Sequence, residues 1–350
     1  MKYYFILLGS LAVISSLSAE SNLSERKLVF QLDNDLFAGT DRDYTSGVRL
    51  AFLQELDPDR SAHDALQSGL YRISDLVSAG LFGETRLKKK PLRFSWGVGL
   101  TQLMYTPEDP DLPASPLGER PYAGWLGAEF TLNASDDDSV AGITLSIGTT
   151  GPNSLTEEAQ HWVHENISDS PVFQGWDSQV PGELTLNLHF DHKEKIGVLE
   201  QTSEWPIEFD GYFEGGFALG NFRTNAYLGT LVRSGINLPN TYATPRVELG
   251  TYGHALFAPD EASKAFSFYG FVGVRGTAVA HDITLDGPLF RDYGLAVDSE
   301  EFVGAFIFGF VSHIHGMVLS VSQTSRSDEF KSQSDAQTYG SVMLQASFAW

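Results

Sequence analysis

Stretches of about ten residues in which apolar side chains alternate with small or polar ones, each closed by turn residues, recur from Lys27 to Trp350. Phe94, Trp96, Val98 and Leu100 alternate with Ser95, Gly97, Gly99 and Thr101. Leu184, Leu186, Leu188 and Phe190 alternate with Thr185, Asn187 and His189, and Ile143, Leu145 and Ile147 with Thr144 and Ser146. In a strand, successive side chains face opposite sides, so one side here suits lipid and the other a polar lumen. Twelve such segments fall near 27–34, 45–55, 92–104, 122–134, 140–149, 181–191, 207–218, 222–233, 264–282, 299–312, 315–326 and 338–350. An even number is what a closed antiparallel bacterial barrel requires. The expected fold is therefore all-β, a twelve-stranded antiparallel transmembrane β-barrel, with a soluble β-sandwich or lipocalin-like barrel as the alternative.

The N-terminus sets the compartment. Lys2, the apolar run Tyr3 to Val13 and the small residues Ser16 to Ala19 have the build of a secretory signal peptide, with residues 1–19 removed and the barrel domain spanning 20–350. Cysteine is absent, so an exported chain must take its rigidity from somewhere other than disulfides, and a closed barrel supplies it. Val342, Leu344, Ala346, Phe348 and the terminal Trp350 share one face, which suits a strand recognised for outer-membrane insertion. The net charge of -22 argues against nucleic acid as a partner and fits acidic loops that attract divalent cations.

With both termini in the periplasm, the external loops are 35–44, 105–121, 150–180, 219–221, 283–298 and 327–337. Two periplasmic connections are long, 56–91 and 234–263. Leu66, Leu70, Ile73, Val77 and Leu81 predict a helix in the first, packed on the periplasmic mouth and followed by the solvated run Lys88 to Lys90.

Three external segments carry residues suited to chemistry. Asp33, Asn34, Asp35, Asp41, Asp43, Tyr44 and Thr45 crowd carboxylates together, which suits either a solvated acidic loop or a calcium site. In the third external loop, Ser154 and Glu157 form a capping-box pattern that predicts a helix. Leu155, Ala159, Trp162 and Val163 lie on one face of it, expected to pack downward, and Gln160 and His164 on the other, presented to a cleft. A histidine so placed suits a general base; His161 and His164 alone are too few ligands for zinc. Arg120, where a loop re-enters the fourth strand, suits contact with a substrate phosphate or an ion pair at the rim.

Together these segments resemble the LpxR-type lipid A 3′-O-deacylase family of outer-membrane enzymes. The resemblance is carried in order by Asn34-Asp35, Asp43-Tyr44-Thr45-Ser46-Gly47, Arg120-Pro121-Tyr122-Ala123-Gly124-Trp125, and Gly151-Pro152 leading to Gln160 and His164. It continues through Gly175-Trp176-Asp177, Leu219-Gly220-Asn221, Asp282 to Gly287, and Arg326 to Phe330. The resemblance implies a calcium-dependent barrel, expected to act as a monomer, that removes an ester-linked 3′-acyloxyacyl group from lipid A in the outer leaflet. It also implies active-site roles for Asn34, Asp35, Thr45, Gln160 and His164, with calcium held by Asp35. A glutamate that follows the histidine in the family pattern has no match here, where the chain reads Ser168-Asp169-Ser170-Pro171. The competing expectations are a non-catalytic barrel, either pore or structural protein, with Arg49, Glu129, Arg233 and Arg275 lining its lumen, and an outer-membrane phospholipase.

Overall fold

The computed structural model describes residues 26–35, 43–56, 68–69, 72, 92–109, 111–167, 171–199, 206–239, 241, 246–250 and 266–348. Twelve strands close into one antiparallel barrel: β1 (Arg26–Asn34), β2 (Asp43–Leu56), β3 (Arg93–Thr106), β4 (Ala123–Ser135), β5 (Ser139–Thr150), β6 (Leu184–Leu199), β7 (Glu208–Gly220), β8 (Arg223–Ile236), β9 (Phe266–Asp282), β10 (Phe302–Ile314), β11 (Met317–Arg326) and β12 (Gln337–Phe348). Each strand pairs with its sequence neighbours, and β1 pairs with β12 from Arg26↔Phe348 to Asn34↔Gly340, so no edge is left open. No described helix is long and apolar enough to cross a membrane. The expected signal peptide, the periplasmic helix and Trp350 fall outside the described residues, apart from short helical pieces at 68–69 and 72.

The alternation read from the sequence is the alternation of the wall. Leu50, Leu100, Leu186, Leu228 and Phe310 are exposed on the outside, while Arg49, Thr101, Thr185 and Asn187 are buried inside. Strand β6 runs to Leu199, well past the expected end at 191, through the polar run His192, Lys193, Glu194 and Lys195. The alternation there is between polar groups, with Lys193 buried and 3.7 Å from Glu214.

The lumen is packed with paired charges. The Arg49 guanidinium donates to Glu129 (2.9 Å), to the Thr101 hydroxyl (3.0 Å) and to Gln31 (2.9 Å), and the Arg49 and Glu129 side chains have no exposed surface. Arg233 is paired with Asp210 at 2.5 Å, and Arg275 with both Glu214 and Glu248. Glu248 does not come from the wall. It belongs to segment 246–250 of the β8–β9 connection, which lies inside the barrel. Gln31 donates to the Arg246 carbonyl (3.0 Å), Arg49 to the Glu248 carbonyl (2.8 Å), and the Gly250 N–H to Glu129 (2.9 Å). At the outer end, Val247 joins Tyr44, Tyr105, Trp125, Phe222, Tyr339, Val180 and Ile283 in an apolar layer across the barrel. The four lumen charges noted in the sequence are thus engaged in ion pairs, with Arg275 reaching Glu248 of the internal segment, rather than lining open water.

Candidate active site

The acidic stretch at the end of β1 sorts by strand parity. Asp33 points into the lumen, where its Oδ2 accepts from the Tyr44 hydroxyl (3.1 Å) and from the Val247 N–H (3.0 Å). Asn34 lies on the outward face, in line with Leu28 and Phe30, and Asp35 is fully buried in the turn that follows. Asp43 enters β2 with φ of 66°, a left-handed conformation that aspartate tolerates, and its carboxylate meets Arg120 Nε at 3.3 Å. Thr45 sits in a bulge between Tyr44 and Ser46, its hydroxyl 2.6 Å from that of Thr106. The carboxylates therefore do not converge on one point, and no group of three or more His, Asp or Glu able to hold a metal ion occurs among the described residues. Asp41 and Asp169 lie outside them.

The third external loop turns sharply at Gly151, whose φ of 69° goes with a site where a Cβ would lie 2.5 Å from the Gly182 nitrogen. A 3-10 turn, Gly151–Ser154, leads into helix α1 (Thr156–Asn166). The expected capping box does not form. The helix is capped by Leu155 in a left-handed conformation, and the Ser154 hydroxyl instead donates to the Gly151 carbonyl (2.6 Å) and meets the Thr156 hydroxyl (2.9 Å). These two hydroxyls press on Gly124 of β4, where a Cβ would be 1.9 Å from Thr156 Oγ1 and 2.2 Å from Ser154 Oγ. Gln102 on the outward face of β3 fixes the same point by donating to the Ser154 carbonyl (2.7 Å).

The helix lies on its expected polar face. Thr156, Gln160 and His164 are its buried residues, while Leu155 and Trp162 are 51% and 58% exposed. The reason is hydrogen bonding. The Trp176 indole N–H donates to Gln160 Oε1 (2.8 Å), and His164 Nδ1 lies 2.6 Å from the Pro171 carbonyl. A buried polar face whose groups find partners costs little. Trp176, Phe173, Tyr122 and Met104 form the apolar bed, with Ala159 packed against it. The Tyr122 and Trp176 rings are 5.2 Å apart, and His164 is 6.1 Å from the Phe173 ring. Burial pushes the Tyr122 hydroxyl up to about 12, so it stays neutral and acts as wall.

These bonds fix the orientation of one amide and the tautomer of one imidazole. An indole N–H is only a donor, so Gln160 must present its oxygen to Trp176, which leaves the amide nitrogen, buried and without a hydrogen-bond partner, free to donate. A carbonyl is only an acceptor, so the proton of neutral His164 sits on Nδ1 and the lone pair on Nε2.

Asn34 pairs with Ser46, Ser46 with Met104, and Met104 with Gly124, one continuous outward row from β1 to β4. Asn34 and the N-terminal end of α1, where Thr156 meets Gly124, therefore lie along the same strip of outer wall. Gly124→Ala should push α1 off this strip, which faster hydrogen exchange over residues 151–166 would report. The barrel itself should keep its heat-dependent gel mobility.

Arg120 is not placed for substrate. It is 1% exposed, bonded to Glu329 (2.7 Å) and Asp43 (3.3 Å), and its guanidinium lies over the Tyr105 and Phe330 rings. Burial alone would raise the Glu329 carboxyl, but Arg120 and Arg326 outweigh it and hold the group below its ordinary 4.5. Arg120 thus ties the entry of β2 to the last external loop. Sequence reasoning missed Trp176 and Pro171 as the groups that orient Gln160 and His164. Their only sequence signal was Gly175-Trp176, which stands in the motif, whereas a proline carbonyl gives none.

The fold and site define an outer-membrane β-barrel with a helix strapped to the outside of its wall at the outer rim. The chain belongs to the LpxR family, since the family model for outer membrane protein LpxR matches residues 5–348. LpxR from Salmonella typhimurium shares the fold, with a TM-score of 0.70 and 17% identity over 91% of this chain and 99% of that one. The β domain of the Bordetella autotransporter BrkA gives a looser likeness, with a TM-score of 0.42 and 9% identity over 94% and 100% of the two chains. No curated protein matches the chain by sequence.

Proposed function

We propose that this barrel is an ester hydrolase that removes the 3′-acyloxyacyl group of lipid A in the outer leaflet. The observation that carries the reading is His164. Its Nδ1 is anchored on the Pro171 carbonyl, so Nε2 carries the lone pair of a general base. In this mechanism Nε2 takes a proton from water, and the water oxygen attacks the acyl carbonyl. The tetrahedral intermediate then collapses with loss of the sugar alkoxide, which takes the proton back from His164. The products are a free fatty acid and a lipid A hydroxyl. The free amide N–H of Gln160 donates to the developing oxyanion. Asn34 orients the ester from the wall, and Thr45, held by Thr106, supports the Asn34–Asp35 turn.

Geometry supports one site. From Thr156 to His164 the helix rises about 12 Å, at about 1.5 Å per residue. That length is enough to span two strand spacings of about 4.8 Å each. Contacts of α1 with both β4 and β3 fit that span. A carboxylate beside an amide oxygen, Asp35 beside Asn34, is a hard-oxygen donor pair that suits calcium, and the ion would polarise the acyl carbonyl. Asp33 and Asp43 are committed elsewhere and are not counted among its ligands. Arg120 is assigned a structural role and not contact with a phosphate.

A phospholipase would use the same groups on a different ester. Mass spectra of lipid A and of phospholipids, from cells with and without the protein, separate the two. Lipid A lighter by one acyloxyacyl group is the expected result. Unchanged lipid A with accumulating lysophospholipid would replace this reading by the other.

A further inference from the structure

A single carboxylate connects the inside of the barrel to the proposed site outside it. Asp33 precedes Asn34 and Asp35 in the chain, and Tyr44 precedes Thr45. Asp33 Oδ2 is held between the Tyr44 hydroxyl (3.1 Å) and the Val247 N–H (3.0 Å). The Tyr44 phenol reaches this carboxylate by folding over Gly47, the residue paired with Asp33 across the ladder. A Cβ on Gly47 would stand 1.9 Å from the Tyr44 hydroxyl and 3.2 Å from Val247 Cβ. The Asp-Tyr-Thr-Ser-Gly motif is thereby explained as a unit, because its glycine makes room for its tyrosine.

Val247 is itself held by a rigid frame. The carbonyls on either side of it, those of Arg246 and Glu248, accept from Gln31 and Arg49. Gly250 is bonded through its N–H to Glu129 and through its carbonyl to the Thr144 hydroxyl (3.2 Å). Gly250 takes φ of 89° at a point where a Cβ would lie 2.6 Å from His189 Cβ, so the segment fits its seat closely.

We infer that segment 246–250 is an internal template that positions the outward-facing Asn34 and the buried Asp35 and Thr45 from the lumen side, through Asp33. Val247 acts by its backbone N–H, Tyr44 by its hydroxyl and Gly47 by its missing Cβ. All three are positioning residues, and none touches substrate. The link to catalysis rests on the proposed hydrolase reading, whereas the positioning itself is readable without any activity.

The test compares Val247→Pro, which removes the N–H, with Val247→Ala, which keeps it, and with Tyr44→Phe, which keeps the ring and removes the hydroxyl. Heat-dependent gel mobility first establishes that each barrel is folded; if Val247→Pro does not fold, Tyr44→Phe decides. Hydrogen exchange should quicken over residues 33–47 in Val247→Pro and Tyr44→Phe and stay at the wild-type rate in Val247→Ala. With lipid A as substrate, the first two should lose kcat by up to about 100-fold at unchanged KM, the scale of a misplacement of an ångström. Val247→Ala should keep the wild-type kcat. Wild-type exchange over 33–47 in folded Tyr44→Phe overturns the inference. Altered exchange in a protein that has no lipid A activity at all upholds the positioning and sinks the hydrolase reading alone.

Discussion

His164→Ala is expected to leave a folded barrel that hydrolyses lipid A about 100- to 10,000-fold more slowly, the range that a positioned general base contributes. The loss should fall on kcat more than on KM, because in the proposed mechanism Nε2 acts on the attacking water and not on the bound ester. Folding should be spared. His164 lies on a helix outside the wall, and the barrel ladder closes without it. Gln160→Ala should also slow turnover, by removing the free N–H donor, but it also strips the Trp176 indole of its acceptor. His164→Ala is therefore the cleaner experiment. Steady-state release of fatty acid from lipid A in mixed micelles, with gel mobility as the folding control, measures it. Wild-type turnover in the folded variant rules out the base assignment.

Arg49→Ala should produce the largest loss of stability. The side chain is fully buried and serves Glu129, Thr101, Gln31 and the Glu248 carbonyl at once. Its removal leaves an uncompensated buried carboxylate on β4, an error that costs about 3–5 kcal/mol in protein interiors. Segment 246–250 loses one of its carbonyl anchors in the same step. Urea unfolding of the refolded barrel in lipid vesicles should show the drop as a lower midpoint. The double variant Arg49→Ala with Glu129→Ala should recover part of it, since no charge is then left alone. Equal midpoints for wild type and Arg49→Ala would mean that the lumen network does not hold the barrel.

The strands were legible because lipid outside and polar packing inside impose a period of two on every crossing. The period is lost where polar side chains occupy both faces of a strand. Strand β6 runs on through His192 to Lys195 with no apolar mark. The helix after Gly151 was legible from its spacing, as was the pairing of Gln160 with His164 four residues later. Which face turns inward was not legible. Apolar residues normally face the protein, but here Trp176 and the Pro171 carbonyl offer specific partners to the polar face, and sequence spacing cannot reveal them. Arg120 illustrates the same limit. An arginine at a rim fits a phosphate or an acid equally well, and its actual partner Glu329 lies 209 residues away. Segment 246–250 was read only as part of a periplasmic connection, because what defines it are bonds to residues on β1, β2, β4 and β5.

The most direct test of the central claim, an imidazole-activated water cleaving a lipid A ester at the outer wall, is an isotope experiment. The purified, refolded protein is incubated with lipid A and calcium in water enriched in oxygen-18, and both products are weighed by mass spectrometry. The proposed mechanism predicts one heavy oxygen in the released fatty acid, none in the new lipid A hydroxyl, and a reaction about 100- to 10,000-fold slower with the His164→Ala protein. Intact lipid A after incubation with folded wild-type protein, or heavy oxygen in the sugar hydroxyl, would contradict it.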